Sequence, residues 1–327
     1  MQRFILPPPL ESGDAVALIS PSSPVKEEYV AGAAAFFEKE GFRPIVMPHA
    51  CGPASGSYAA SDAERLADFT AAWSDPSVRA VLCSRGGYGA VHLLHQIPQS
   101  MLRSDPKWLI GFSDITALHA LLSSAGVASI HSPMAKHLTE KGADDPCTLS
   151  LMHILRGEGK MEYNVEGDPR NICGSAEGRL AGGNLAVLNG LGGTPFDFLR
   201  GAGEKGEEED NDKLIFFIED ISEAIYATER MLYRIWLSGG FRRVAGLVVG
   251  RFTDYRPDRN FSSMEDMISA FIRRVGISGI PVAFGFPMGH VDMNLPLVEG
   301  ARARLAVTRE SVSLSFRHTS RPQELVP

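Results

Sequence analysis

Short apolar runs alternate with amphipathic segments through the first half of the chain, and this alternation restricts the fold more than any other feature. Residues 14–20, Asp-Ala-Val-Ala-Leu-Ile-Ser, read as a buried strand. Residues 25–40 carry Tyr29, Ala33, Phe36 and Phe37 at helical spacing, and Gly41 stops that helix. A second strand follows at 43–47. Ser61-Asp62-Ala63-Glu64 has the pattern of a capping box and opens a helix to Trp73. Residues 80–83 and 108–112 give a third and a fourth strand. Strands this apolar, separated by helices, belong to a parallel sheet covered on both faces. Ligands of such sheets gather at the carboxyl ends of the strands. Two turns fall there, Ser84-Arg85-Gly86-Gly87-Tyr88-Gly89 and Gly111-Phe112-Ser113-Asp114.

The second half is patterned differently. Residues 157–175 are polar and rich in Gly, Pro, Asn and Glu, which reads as a linker or crossover. A further loop at 201–212 holds the run Gly206-Glu207-Glu208-Glu209-Asp210, a solvated charge run rather than a metal site. An apolar strand at 213–218 ends in Glu219-Asp220. A helix is expected over 222–237, a strand over 244–249, a helix over 263–275 and a short strand over 282–284. Residues 302–307 and 311–316 read as a hairpin around Thr308-Arg309-Glu310. At 327 residues the chain has material for about two domains. The expected division is an α/β domain over 1–160, a linker over 161–175 and a β/α domain over 176–327.

Bulk composition excludes several classes of function. Hydrophobic residues are 44% and charged residues 22%, as in ordinary globular proteins. With Lys plus Arg at 32 and Asp plus Glu at 39, the formal net charge is −7. That balance, without a basic run longer than a pair, disfavours nucleic acid as a partner. The four cysteines, Cys51, Cys83, Cys147 and Cys173, form no CxxC pair, so neither zinc spacing nor a disulfide framework is suggested. The N-terminal residues lack the apolar core of a signal peptide, and no stretch approaches the ~20 apolar residues of a membrane span. The expectation is a cytoplasmic protein with no membrane partner.

Ser113 is the candidate nucleophile. A serine at a strand-to-helix turn has an exposed hydroxyl, and the helix start offers free N–H groups to an oxyanion. Ser and Asp are also common helix N-caps, so the four residues alone fit either role. A serine nucleophile needs a base, and His290 is the best placed of nine histidines, in the Gly/Pro loop Gly285-Phe286-Pro287-Met288-Gly289-His290. The base needs an orienter, and Glu219 ends an apolar strand where a carboxylate is costly to bury unpaired. His119 reads as packed or solvated; His131 ends an apolar run and is a candidate lining residue. His92 and His95 are expected on a helix after Gly89. The order Ser, Glu, His matches α/β-hydrolases, but Ile115 stands where their G-x-S-x-G elbow needs glycine. The Gly86-Gly87 pair lacks dinucleotide spacing and the lysine of a phosphate loop. Backbone N–H groups of Gly87 and Asp114 are the candidate oxyanion donors.

Five segments, in order, resemble the LD-carboxypeptidase family of serine peptidases, which includes muramoyltetrapeptide carboxypeptidase and the microcin C self-immunity peptidase. They are residues 84–89 (Ser-Arg-Gly-Gly-Tyr-Gly), 111–119 (Gly-Phe-Ser-Asp-Ile-Thr-Ala-Leu-His), 178–185 (Gly-Arg-Leu-Ala-Gly-Gly-Asn-Leu), 217–220 (Phe-Ile-Glu-Asp) and 285–290. The resemblance implies a flavodoxin-like or amidotransferase-like N-terminal domain carrying Ser113 and a C-terminal mixed β/α domain supplying Glu219 and His290. It implies a Ser-Glu-His triad, a homodimer, and neither metal nor cofactor. The implied reaction is release of terminal D-alanine from murein tetrapeptides in cell-wall recycling. Arg85 is a candidate for the substrate carboxylate, with Gly86, Tyr88 and His131 as further substrate-binding candidates. His131-Ser132-Pro133 departs from the family's His-Gly-Pro, and the sequence after His290 departs as well, which bears on specificity. Two alternatives stand beside this reading: hydrolysis of a peptidyl-nucleotide or another acyl amide, and a non-catalytic peptide-binding module. The lack of Trp between 109 and 235 disfavours a nucleotide-stacking platform.

Overall fold

The computed structural model describes residues 4–200, 213–277 and 279–318. The acidic loop 201–212 therefore lies outside the described residues. The chain divides into two compact units. One holds residues 4–161 with 295–300 and 317–318, and the other holds the described residues of 162–294 with 301–316.

In chain order the first unit contains β1 (Ala15–Ile19), α1 (Glu27–Lys39), β2 (Arg43–Val46), α2 (Asp62–Ser74) and β3 (Val78–Cys83). It continues with α3 (Gln99–Ser104), β4 (Trp108–Gly111), α4 (Thr116–Ala125), β5 (Ser129–His131), α5 (Ala135–Lys141) and α6 (Pro146–Leu155). The strands run parallel in the order β2-β1-β3-β4-β5, which is the flavodoxin order. Every residue of β1, β4 and β5 is buried, as a sheet covered on both faces requires. The expected capping box opens α2: Ser61 Oγ accepts from Glu64 N–H, and Glu64 accepts from Ser61 N–H. Strand order reverses between β1 and β3, and a crevice for ligands opens at such a point. The Ser113 turn follows β4, and the glycine turn follows β3.

The second unit contains β6 (Lys160–Glu166), β7 (Gly174–Asn184), α7 (Leu185–Gly190), β8 (Leu214–Ile221), α8 (Ile225–Leu237), β9 (Val244–Thr253), α9 (Met264–Val275) and β10 (Val282–Ala283). The chain then forms β11 (Leu297–Glu299), β12 (Arg302–Val307) and β13 (Ser311–Arg317). The sheet order is β10-β9-β8-β7-β12-β13-β6. Strands β7 to β10 are parallel, and the β12–β13 hairpin adds antiparallel to β7. Leu185, Leu188, Phe216, Ile218, Leu232, Ile235 and Phe271 form part of one apolar cluster that packs α7, α8 and α9 on this sheet.

The structure corrects several expectations. Residues 160–166, read as linker or crossover, form a strand whose Met161 and Tyr163 are buried between exposed neighbours. Its apolar positions alternate, a signal masked by the surrounding Gly, Asn and Glu. Strand β11 pairs antiparallel with β5 and so joins the first sheet, although residues 297–299 fall within the stretch assigned to the second domain. Three apolar residues say nothing about which sheet will take them. The segment after Gly89 is two short 3-10 turns rather than one helix, since Gly89 enters it at φ 120° and Pro98 ends it. Strand β8 runs on to Ile221, which puts Glu219 and Asp220 inside the sheet.

Candidate active site

Ser113 has φ 65°, one of three non-glycine residues with positive φ among those described. The others are Ser222 and Asp254, so all three follow carboxyl ends of sheet strands, β4, β8 and β9. A left-handed serine costs on the order of 1–3 kcal/mol and persists only where its surroundings fix it. Here β4 ends at Gly111, Ser113–Ile115 make one 3-10 turn, and α4 follows without a break. Gly86 makes the turn possible, because a Cβ there would lie 2.8 Å from Ser113 Cβ and 3.0 Å from Ser113 Oγ. Gly86→Ala is therefore expected to lower kcat by ~10²-fold through displacement of the serine, measurable against the parent at matched thermal stability.

The glycine turn is held from the loop after β1. Ser23 N–H donates to Gly86 O at 3.2 Å, and Tyr88 N–H donates to Ser23 Oγ at 3.2 Å. Gly87 has φ 113°, and a Cβ on it would overlap the Ser23 side chain. Its N–H has no acceptor among the described residues, while Asp114 N–H stands at the start of a helical turn, where N–H groups lack intrahelical partners. Both are chemically fit to receive a developing oxyanion.

Glu219 and His290 meet because β8 and β9 are neighbours. The register passes from Ile218↔Val249 to Asp220↔Phe252, two steps on β8 against three on β9, so the ladder is broken beside Glu219. Such irregularities re-aim side chains. The His290 loop is fastened to the end of β9: Phe286 N–H donates to Val249 O at 3.1 Å and Arg251 N–H to Met288 O at 3.0 Å. Gly289 N–H donates to Asn294 Oδ1 at 2.9 Å. Gly289 has φ 106°, and a Cβ there would sit 2.8 Å from Glu219 Cβ and Oε2. This bare glycine allows the imidazole to approach, and His290 Nδ1–H donates to Glu219 Oε2 at 2.8 Å.

Glu219 has no exposure, and its Oε1 has no hydrogen-bond partner among the described residues. Burial lowers the pKa of His290, but the Glu219 hydrogen bond and charge, with Asp220 and Asp254 behind them, outweigh it and raise the ring above its ordinary 6.5. The ring thus favours the cation, and Nδ1–H on the carboxylate leaves Nε2 as the basic atom. Burial pushes Asp220 up to about 6, against hydrogen bonds from Ile221 N–H, Asn184 Nδ2 and Ala186 N–H.

The remaining candidates are placed as follows. Arg85 Nη1 donates to Pro24 O at 2.7 Å. Tyr88 is 54% exposed and its ring lies beside Tyr58 and His92, at 6.1 and 5.6 Å. His131 is fully buried, with its ring 5.8 Å from that of Phe112. His119 is also buried: its Nε2–H donates to Gly111 O at 2.9 Å and its Nδ1 pairs with Ser129 Oγ at 2.8 Å. Burial lowers it to about 4, so it is a neutral packing residue against the end of β4. Sequence reasoning missed Ser22, Ser23, Asn184 and Asn294. Ser-Pro-Ser-Ser-Pro at 20–24, at the end of β1, was the available signal for the first two. His137, Asp145 and Cys147 form the one metal-sized cluster found among the described residues. Asp145 Oδ1 is already committed to Cys147 N–H, Thr148 N–H and His137 Nε2, as the N-cap of α6.

The first unit thus has a flavodoxin-ordered sheet with a strained serine after β4, and the second has a buried Glu219 bonded to a partly buried His290. Comparison with known proteins then fixes the family. The LD-carboxypeptidase N-terminal domain matches residues 16–132, and the LD-carboxypeptidase C-terminal domain matches residues 177–305. A probable murein peptide carboxypeptidase of Bacillus subtilis is 33% identical over 306 residues, covering 91% of each chain. A murein tetrapeptide carboxypeptidase of Pseudomonas aeruginosa is 28% identical over 305 residues, covering 90% of this chain and 94% of its own. The crystal structure of muramoyltetrapeptide carboxypeptidase from Oxalobacter formigenes superposes with a TM-score of 0.80 at 26% identity, covering 94% of this chain and all of that one. The chain belongs to the LD-carboxypeptidase family of serine-type peptidases.

Proposed function

We propose that the chain releases terminal D-alanine from murein tetrapeptides, with Ser113 as nucleophile, His290 as base and Glu219 as its orienter. The observation that carries the reading is the buried Glu219 holding His290 Nδ1–H at 2.8 Å, in a family of serine peptidases. His290 Nε2 takes the proton of Ser113 Oγ as the oxygen attacks the amide carbonyl. Gly87 and Asp114 N–H groups receive the oxyanion. Collapse of the tetrahedral species breaks the C–N bond, and the imidazolium returns its proton to the departing amine of D-alanine. Water, deprotonated by His290, then releases the acyl group and restores Ser113. Through both steps Glu219 stabilises the imidazolium. Arg85 and Tyr88 are proposed to meet the substrate. Homodimerisation and a cytoplasmic location are proposed with it.

Mass spectrometry of a substrate panel tests the assignment. Muramoyl tetrapeptide should lose its terminal D-alanine, while L,L-dipeptides and a peptidyl-adenylate should stay intact. Turnover of the peptidyl-adenylate alone would move the substrate class to peptidyl-nucleotides. Binding of tetrapeptide without turnover would make the chain a binding module.

A further inference from the structure

We propose that the Asp114 side chain is a positioning group that locks Ser113 in its left-handed conformation. This inference rests on the reading of Ser113 as nucleophile. Asp114 is 4% exposed, and its Oδ2 accepts from Ser22 Oγ at 2.7 Å and from Ala90 N–H at 2.9 Å. The two donors come from different loops, the one after β1 and the one that continues the glycine turn after β3. One oxygen therefore ties the turn after β4 to the loops that follow β3, its neighbour, and β1, the strand beyond it.

The lock follows from geometry. Relaxing Ser113 to negative φ would swing the next residue, and Asp114 is fixed by its own side chain on two sides. The anchors are themselves braced. Arg65, 1% exposed, donates to Pro21 O and to Gly89 O at 3.0 Å, one residue before each donor. Ser23 bonds Gly86 and Tyr88 in the same turn. Within the 3-10 turn, Ile115 N–H donates to Phe112 O at 3.3 Å and Thr116 N–H to Ser113 O, local bonds that the Asp114 carboxylate supplements by reaching two other loops. The carboxylate thus fixes the serine oxygen relative to the glycine turn, which is what an attacking group and its oxyanion donors need in common.

Kinetics of four variants on muramoyl tetrapeptide test this. Asp114→Ala should lose ~10²-fold in kcat with little change in KM, because the serine is misplaced rather than the substrate lost. Asp114→Asn can present an amide oxygen to both donors and should recover kcat to within about fivefold of the parent. Ser22→Ala removes one donor and should lower kcat about three- to tenfold, and add nothing in the Asp114→Ala background. Ser113→Ala is the parallel control. An active Ser113→Ala would overturn the nucleophile itself. With Ser113→Ala inactive, parental kcat in folded Asp114→Ala, or losses that multiply with Ser22→Ala, would overturn the lock. Should Asp114→Ala fail to fold, parental kcat in folded Ser22→Ala would overturn it equally.

Discussion

Ser113→Ala is expected to reduce hydrolysis by ~10⁴-fold or more while leaving the protein folded. Alanine keeps the Cβ that the turn after β4 already accommodates, so circular dichroism and the thermal midpoint should match the parent closely. The backbone strain remains, because alanine is no more at home at φ 65° than serine. Ser113→Gly separates the two effects. It should be equally inactive yet more stable than Ser113→Ala by about 1 kcal/mol, because glycine adopts the left-handed region without the Cβ penalty. An inactive variant that also unfolded would say nothing of chemistry, so activity and melting are measured on the same preparations.

Glu219→Gln is expected to lower kcat by ~10²- to 10⁴-fold and to change the pH profile. The base works only as the neutral ring. Glu219 raises His290 above 6.5, so the acid limb of kcat/KM should lie above pH 6.5 in the parent. Without the carboxylate charge, burial prevails and the limb should move to lower pH. The stability effect has a definite sign. A histidine whose folded pKa is raised adds stability that is full below its unfolded value and fades as pH rises through the folded value. The parent's advantage from this pair should therefore be largest below pH 6.5 and shrink above it. A limb that stays in place in Glu219→Gln would remove Glu219 from its assigned role.

Much of the first sheet was legible because its strands are apolar throughout and separated by helices with clear stops, such as Gly41 and the Ser61 capping box. The hairpin at 302–316 was legible for the same local reason. What escaped was non-local. Nothing in Leu297-Val298-Glu299 says that it pairs with β5, and the alternation of β6 is too polar to stand out from a linker. The candidate residues followed the same division. Ser113, Glu219 and His290 announce themselves as polar groups at the ends of apolar runs. The Asp114 carboxylate does not, because its partners Ser22 and Ala90 lie 92 and 24 residues away and only the sheet order brings them together. Likewise the broken register beside Glu219 depends on how β8 pairs with β9, which neither strand reveals alone.

Acid-quenched digestion with muramoyl tetrapeptide, followed by peptide mass mapping, tests the central claim most directly. The account predicts a transient acyl group, the tetrapeptide less its D-alanine, on the peptide containing Ser113, and its absence in Ser113→Ala. Release of D-alanine by Ser113→Ala at the parental rate, or an acyl group on another residue, would contradict it.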